Sequence, residues 1–383
     1  MAHPHSAQGT DHRRLLADSV ADFTARGTDI ARVRRLRGDP GEYDRAVWNS
    51  MAELGWLGIL VPERYGGLGL GLSEMAVVAK GLARALVPEP LTAAAVLAAT
   101  ALAAAQNEQL KREQLPRLVA GEVLPALAWQ EQAGGLDPAA VQTRAAPFEG
   151  GFKLNGVKRF IAGAARADAF LVTARGPAGV TLLWLPRSSA GLQIALEPLA
   201  DGRSFVTLTL KDALVPGIHV AAEGTAAVEA MALAFDHGCA IVGAELAGVM
   251  ERALEMSLDY LRTRVQFGKP IGAFQALQHR AVDLHIQQEL AGAVLEEVLA
   301  ALDRGPDAAT RAQLASRVKA RCADAALRIT RETIQLHGAI GFTDEYDAGL
   351  YLKRALTLAA WLGHANWHRR RYARLTLVAE AAA

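Results

Sequence analysis

The chain has 383 residues, 51% of them hydrophobic and 21% charged, with 41 Lys and Arg against 40 Asp and Glu. That is enough chain for an ample core, and a formal charge of +1 leaves no field to attract nucleic acid or a membrane surface. Two cysteines, Cys239 and Cys322, cannot build a disulfide framework or a zinc cluster, and they point to a reducing, cytoplasmic setting.

The N-terminus, from Met1 to Asp18, is polar and lacks the apolar core of a signal peptide. Leu54 to Gly69 spaces its glycines in a loop, not between a strand and a helix, which argues against a dinucleotide fingerprint. Ser73 is placed to cap a helix through Met75, Val78 and Leu82, which Pro88 and Pro90 close. The alanine-rich run from Leu91 to Ala105 is shorter than the roughly 20 residues that span a bilayer, and it reads as a buried helix.

From about Gly121 to Ala222 the texture changes to short β-prone runs separated by glycine and proline. They are Phe152–Gly156, Phe170–Thr173, Val180–Trp184, Gly191–Ile194 and Phe205–Leu210. Such spacing predicts a compact barrel or sandwich. Helical periodicity returns over Val228–Tyr260, Leu277–Leu302 and Ala309–Leu336, with Gly305-Pro306 breaking the second from the third. The pattern predicts a three-part α+β chain, mostly helical. Its expected parts are a helical domain at 1–120, a β domain at 121–222 and a helical bundle at 223–383.

Four segments carry a resemblance. They are Leu54-Gly-Trp56 through Gly69; Leu154-Asn155-Gly156-Val-Lys158-Arg-Phe160-Ile161; Arg262-Thr-Arg264-Val-Gln-Phe267-Gly268 through Gln275; and Gln335-Leu-His-Gly338-Ala-Ile-Gly341-Phe342. In this order they resemble the signatures of the acyl-CoA dehydrogenase family over nearly the whole chain. The resemblance implies a helical N-terminal domain, a middle β-barrel domain and a C-terminal four-helix bundle. It also implies FAD, an acyl-CoA substrate, an electron-transfer flavoprotein as acceptor, and a homo- or hetero-oligomer, dimer or tetramer.

Carried over residue by residue, Arg264 is expected at the FAD pyrophosphate of a neighbouring subunit, where a guanidinium offers a bidentate cation. Phe267 is expected on the adenine, with Gln275 and Gln335 hydrogen-bonding nearby and the backbone at Gly338 and Gly341 close to the dinucleotide. Phe160, Ile161 and Ala162 are expected along the flavin ring. Read singly, Arg264 is equally a surface charge, Phe267 a core residue, and Gly338 and Gly341 a helix end and turn.

The chain departs from the family where chemistry is concentrated. The usual place of the catalytic glutamate, in Trp361-Leu362-Gly363-His364, holds Leu362. The alternative place, after Phe235-Asp236 on the first C-terminal helix, holds Gly238. Neither takes a proton. A flavin-contacting threonine is Ala162, a paired glycine is Ala339, and a flavin-side loop has become Gln130-Glu131-Gln132-Ala-Gly134-Gly135-Leu-Asp137.

Three readings stay open. In one, this is the smaller, base-less chain of a hetero-oligomeric dehydrogenase of the steroid or dicarboxylate type, whose subgroup run the stretch 344–355 echoes. In another, a displaced residue acts as base: His364, Asp236, Glu245 or, more remotely, Glu89. In the third, the fold hosts different chemistry, such as a monooxygenase-like flavin reaction, or serves only as a scaffold completing a partner's FAD site. His337, His364 and His368 join no carboxylate cluster, so no metal site is expected.

Overall fold

The structure is a computed structural model that describes residues 5–27, 30–37, 39 and 43–382. In chain order the helices are α1 (His5–Gly27), α2 (Ile30–Leu36), α3 (Arg45–Glu53), α4 (Leu72–Arg84), α5 (Ala99–Ala103) and α6 (Glu108–Val119). After the strands come α7 (Gly224–Thr263), α8 (Gln275–Leu302), α9 (Ala308–His337), α10 (Ala348–Ala360) and α11 (Ala365–Ala382). The polar stretch expected at Met1–Asp18 enters α1, and its first four residues lie outside the described set.

The chain divides into two compact units. One comprises Met1–Arg34, Leu72–Val87 and Cys239–Ala383, the other Arg35–Gly71 and Pro88–Gly238.

In the first unit the helices match the apolar periodicity closely. α8 ends at Leu302 just before Gly305-Pro306, and α9 begins at Ala308 under an Asp307 cap that accepts from the amides of Ala309 (2.9 Å) and Thr310 (3.0 Å). α9 is the central helix, packed by α8, α10 and α11, with Ala315, Ala323, Ala326 and Ile329 buried. α4 lies on α1, where a Cβ built at Gly81 would stand 2.4 Å from Val20, so only glycine permits the approach. Ser73 does not cap α4 as the sequence suggested. The cap is Asp303, whose carboxylate accepts from the amides of Leu72 (2.6 Å) and Ser73 (3.1 Å). Asp303 is separated from them by more than two hundred residues, beyond any local pattern.

In the second unit, β1 (Pro125–Ala128), β2 (Arg144–Phe148), β3 (Gly151–Ala162), β4 (Ala169–Gly176), β5 (Gly179–Pro186), β6 (Leu192–Pro198), β7 (Ser204–Pro216) and β8 (Val220–Glu223) make one mixed sheet. Its order is β6-β7-β3-β2-β4-β5-β8, with β1 pairing parallel to β4. The five β-prone runs fall in β3 to β7. β1, β2 and β8 were not anticipated, because Pro125–Ala128 and Val220–Glu223 are too short and alanine-rich to alternate. The run from Leu91 is the buried helix expected, but Thr92–Ala98 has π-helical geometry before it continues as α5.

The remaining strands, β9 (Val265–Gln266) and β10 (Lys269–Pro270), form a small hairpin after α7. Among the described residues, α7 alone is long and apolar enough to cross a membrane, and 67% of its most apolar window is buried within the protein, as in a core helix.

Candidate functional site

Among the described residues, six non-glycine residues adopt a left-handed backbone: Leu86, Glu149, Phe160, Asp212, Phe267 and Leu362. Three of them, Phe160 (φ 56°), Phe267 (φ 52°) and Leu362 (φ 57°), fall one in each of three segments singled out from the sequence. Each costs on the order of 1–2 kcal/mol for a branched or bulky side chain, and such strain concentrates at functional sites.

The Arg264 and Gln335 segments both lie in the first unit and are brought together at one end of its helices. Arg264 is exposed, and it continues α7 through its amide bond to the Tyr260 carbonyl (2.9 Å). Its own carbonyl accepts from Ile271 (2.8 Å), which closes the β9–β10 hairpin. At the hairpin tip Phe267 is 91% exposed, with the Phe274 ring edge-on to it at 6.1 Å between centroids. Leaving such a ring in water forgoes roughly 1.5–3 kcal/mol of burial, which another surface can recover. Gln275, the first residue of α8, is exposed beside it.

The second segment is the C-terminal end of α9. Gln335 points outward, and Gly338 terminates the helix at φ 64° with no atom within 4 Å of where a side chain would begin. Gly341 is buried, its would-be Cβ 2.7 Å from the Ile334 carbonyl. Tyr260 and His337 tie the two segments together with rings 4.4 Å apart. His337 Nδ1 donates to the Thr333 carbonyl (2.7 Å), so Nε2 accepts from the Tyr346 hydroxyl (2.9 Å). Burial lowers the His337 pKa and keeps this neutral arrangement.

The third segment is in the second unit. Strand β3 slips register against β7 between Lys158 and Ile161, which leaves Phe160 and Ala162 half-buried on either side of buried Ile161. Fully buried Lys158 donates to Glu131 (2.6 Å), to Thr173 Oγ1 (3.0 Å) and to the Trp129 carbonyl (3.3 Å). Glu131 in turn accepts from the amides of Gln142 (2.7 Å) and Thr143 (2.9 Å), and Gln130 accepts from the Arg159 amide (2.8 Å). One lysine therefore anchors both ends of the Gln130–Val141 loop to β3. Burial pushes the Lys158 pKa down to about 8, an effect Glu131 partly offsets, and Lys158 outweighs burial to lower that of Glu131. The pair is ionised at neutral pH.

Cys239, the residue after Gly238, lies with its thiol 3.9 Å from the Leu362 carbonyl. Leu362 is 3% exposed, and its carbonyl also accepts from His368 Nε2 (2.9 Å). On either side of it, the Ala359 (3.1 Å) and Gly363 (2.9 Å) carbonyls accept from the fully buried ammonium of Lys319. Burial lowers the Lys319 pKa to about 8 and that of His368 to about 3, and it raises that of Cys322 to about 12. Lys319 was missed in the sequence, although it stands on the small-residue stripe of Ala315, Cys322 and Ala326, where a charged residue is out of place.

Three of the displaced-base candidates have partners. His364 is exposed, and its Nδ1 accepts from the Trp367 amide (3.2 Å) at the start of α11. Glu245 is ion-paired with Arg354 at 2.6 Å, and Glu89 accepts from the Asp44 amide (3.1 Å). Asp236 is fully buried. No group of three or more His, Cys, Asp or Glu able to hold a metal ion occurs among the described residues.

The chain runs in helical, β and helical order, with a strained non-glycine turn in three of the segments singled out from the sequence. The acyl-CoA dehydrogenase N-terminal domain model matches residues 10–122, the middle domain model 126–213 and the C-terminal domain model 228–377. The chain belongs to the acyl-CoA dehydrogenase family, whose members use FAD to oxidise acyl-CoA.

Acyl-CoA dehydrogenase IpdE2 of Mycobacterium tuberculosis is 31% identical over 90% of this chain and 91% of its own length. Among solved structures, a variant of the Tcur3481-Tcur3483 steroid ACAD superposes with a TM-score of 0.87 at 28% identity, covering 98% of this chain and 99% of its own. The ChsE4-ChsE5 complex from Mycobacterium tuberculosis superposes at 0.86 with 25% identity, covering 95% of this chain and 96% of its own. The exposed Arg264 and Phe267 at a hairpin and the open space above Gly338 fit one end of an FAD dinucleotide.

Proposed function

We propose that this chain is the base-less subunit of a hetero-oligomeric acyl-CoA dehydrogenase, and that a different chain supplies the carboxylate that removes the substrate α-proton. One observation carries the reading. Neither place for that carboxylate carries a titratable side chain, since one is Gly238 and the other Leu362. Glu245, Glu89 and His364 are engaged in an ion pair, a backbone bond and a helix cap, so they support no displaced base.

FAD, when bound, accepts the substrate β-hydrogen as hydride at N5. Arg264 would hold the pyrophosphate in a bidentate grip and Phe267 would cover the adenine, on the FAD of a neighbouring subunit. Gln275 and Gln335 would donate to the same dinucleotide, which the backbone at Gly338 and Gly341 is bare enough to approach. Phe160, Ile161 and Ala162 would line the ring, with Ala162 supplying no hydroxyl to it.

The Tcur3481-Tcur3483 relative is named for steroids, and we extend that substrate class, as a CoA thioester, to this chain. An electron-transfer flavoprotein is the proposed acceptor.

The test is the visible spectrum of the chain purified alone, before and after anaerobic acyl-CoA. The reading expects no bleaching until a glutamate-bearing chain is added. Bleaching by the chain alone at ordinary rates would overturn it.

A further inference from the structure

His337 is the last residue of α9 and is 3% exposed. Its ring stands between two tyrosines from other elements. Tyr260, near the end of α7, is 4.4 Å away between centroids, and Tyr346, in the turn before α10, is 4.6 Å away. Both ring nitrogens are used. Nδ1 lies 2.7 Å from the Thr333 carbonyl, which can only accept, so Nδ1 carries the proton. Nε2 is left to accept from the Tyr346 hydroxyl at 2.9 Å.

This trio continues a polar seam between α7 and α9. One turn back along α9, the Thr333 hydroxyl lies 3.2 Å from the Ala253 carbonyl and 3.1 Å from the Ser257 hydroxyl, and all three residues are fully buried. Buried polar groups are costly unless partnered, and once partnered they fix one arrangement of the elements that carry them. A leucine or phenylalanine at 337 would fill the space without that constraint.

Each candidate dinucleotide contact in this unit is one step from His337. Arg264 hangs on Tyr260, whose carbonyl accepts from the Arg264 amide at 2.9 Å. Gln335 and Gly338 are its close neighbours in the chain. Gly341 folds back on it, with a would-be Cβ 3.1 Å from the His337 Cβ. His337 itself is buried, whereas Arg264, Gln335 and Gly338 are exposed, so its hold on a cofactor passes through them. Contacts made by two segments on different helices are strongest when their separation is fixed before the ligand arrives.

We propose that His337 is a positioning residue for FAD. Its bridge between Tyr260 and Tyr346 sets the spacing of the Arg264 hairpin and the Gly338–Gly341 turn, and thereby how firmly the dinucleotide is held. The inference rests on the reading that these two segments contact FAD.

The test is the rate at which the full chain, in its FAD-loaded assembly, loses flavin on dilution, followed by flavin fluorescence. His337→Phe keeps a ring and removes both hydrogen bonds. Tyr346→Phe removes one oxygen from a half-buried side chain and is the milder change. Each is expected to release FAD roughly fivefold faster, the worth of about one neutral hydrogen bond. Both remove the same bridge, so the double variant is expected to be little worse than either single one. His337→Gln, whose side-chain oxygen can still accept from Tyr346, is expected to restore most of the retention.

Unchanged release from both phenylalanine variants would overturn the proposal, as would losses that add in the double variant. Melts of the flavin-free proteins are run alongside. Retention that simply tracked melting temperature across the variants would mean a packing role and would overturn it too. Arg264→Ala separates the two readings. Faster release from Arg264→Ala with His337→Phe unchanged would overturn the positioning role alone. Unchanged release from both would overturn the assignment of the two segments to FAD as well.

Discussion

The Cys239 thiol lies 3.9 Å from the Leu362 carbonyl, although the residues are 123 positions apart. Leu362 keeps the left-handed turn (φ 57°), and Lys319 and His368 hold the carbonyls around it. On the proposed reading, the turn that would carry a base is in place and only its side chain is absent. Leu362→Glu is therefore expected to let the chain bleach with acyl-CoA unaided, roughly a hundredfold faster than the wild type. Stopped-flow absorbance under anaerobic conditions measures it.

Arg264 is exposed on a hairpin edge, so replacing it disturbs little of the fold. Arg264→Lys is expected to weaken FAD retention roughly tenfold and Arg264→Ala roughly a hundredfold, since a bidentate, charge-assisted contact is lost in part or in full. Flavin fluorescence on titration into apoprotein reads both, and thermal melts are expected to stay close to the wild type.

Buried Lys319 makes a pH prediction with a definite sign. Its folded pKa of about 8 lies well below the 10.5 of an ordinary lysine. Between those values the unfolded chain binds more protons, so stability rises with pH. Lys319 contributes this in full above about 10.5 and loses it as pH falls through about 8. Against Lys319→Met, which lacks the titration, the wild type is expected to gain about 3 kcal/mol across that window. Urea melts at pH 7.5 and pH 10.5 give the difference.

Lys158→Met leaves Glu131 as a buried, unpaired carboxylate, so a loss of about 3–5 kcal/mol is expected. The effect is also local. Both ends of the Gln130–Val141 loop hang on this pair, so hydrogen exchange at Gln142 and Thr143 is expected to accelerate more than elsewhere in the sheet. Uniform exchange across β3 and β7 would contradict the anchoring role.

Asp303 accepts from the first two amides of α4. Asp303→Ala is expected to cost about 1–2 kcal/mol in chemical denaturation, the usual worth of a helix cap, while Ser73→Ala costs less.

The sequence by itself determined three of the five helices of the C-terminal region, α7, α8 and α9, because apolar spacing and breakers such as Gly305-Pro306 act within a few residues. It also determined five of the eight sheet strands and the segments around Arg264 and Gln335, whose glycines and aromatic residues are local signals. It showed Leu362 and Gly238 as departures, but as two separate ones.

Only the tertiary structure decided that Cys239 lies against the Leu362 carbonyl and that Lys319 holds the turn at Leu362. It alone placed Asp303, and not Ser73, at the head of α4, and paired β1 in parallel with β4. Each of these depends on contacts between residues distant in the chain. Their formation is set by how whole helix and strand faces bury against one another, and no local periodicity encodes that choice.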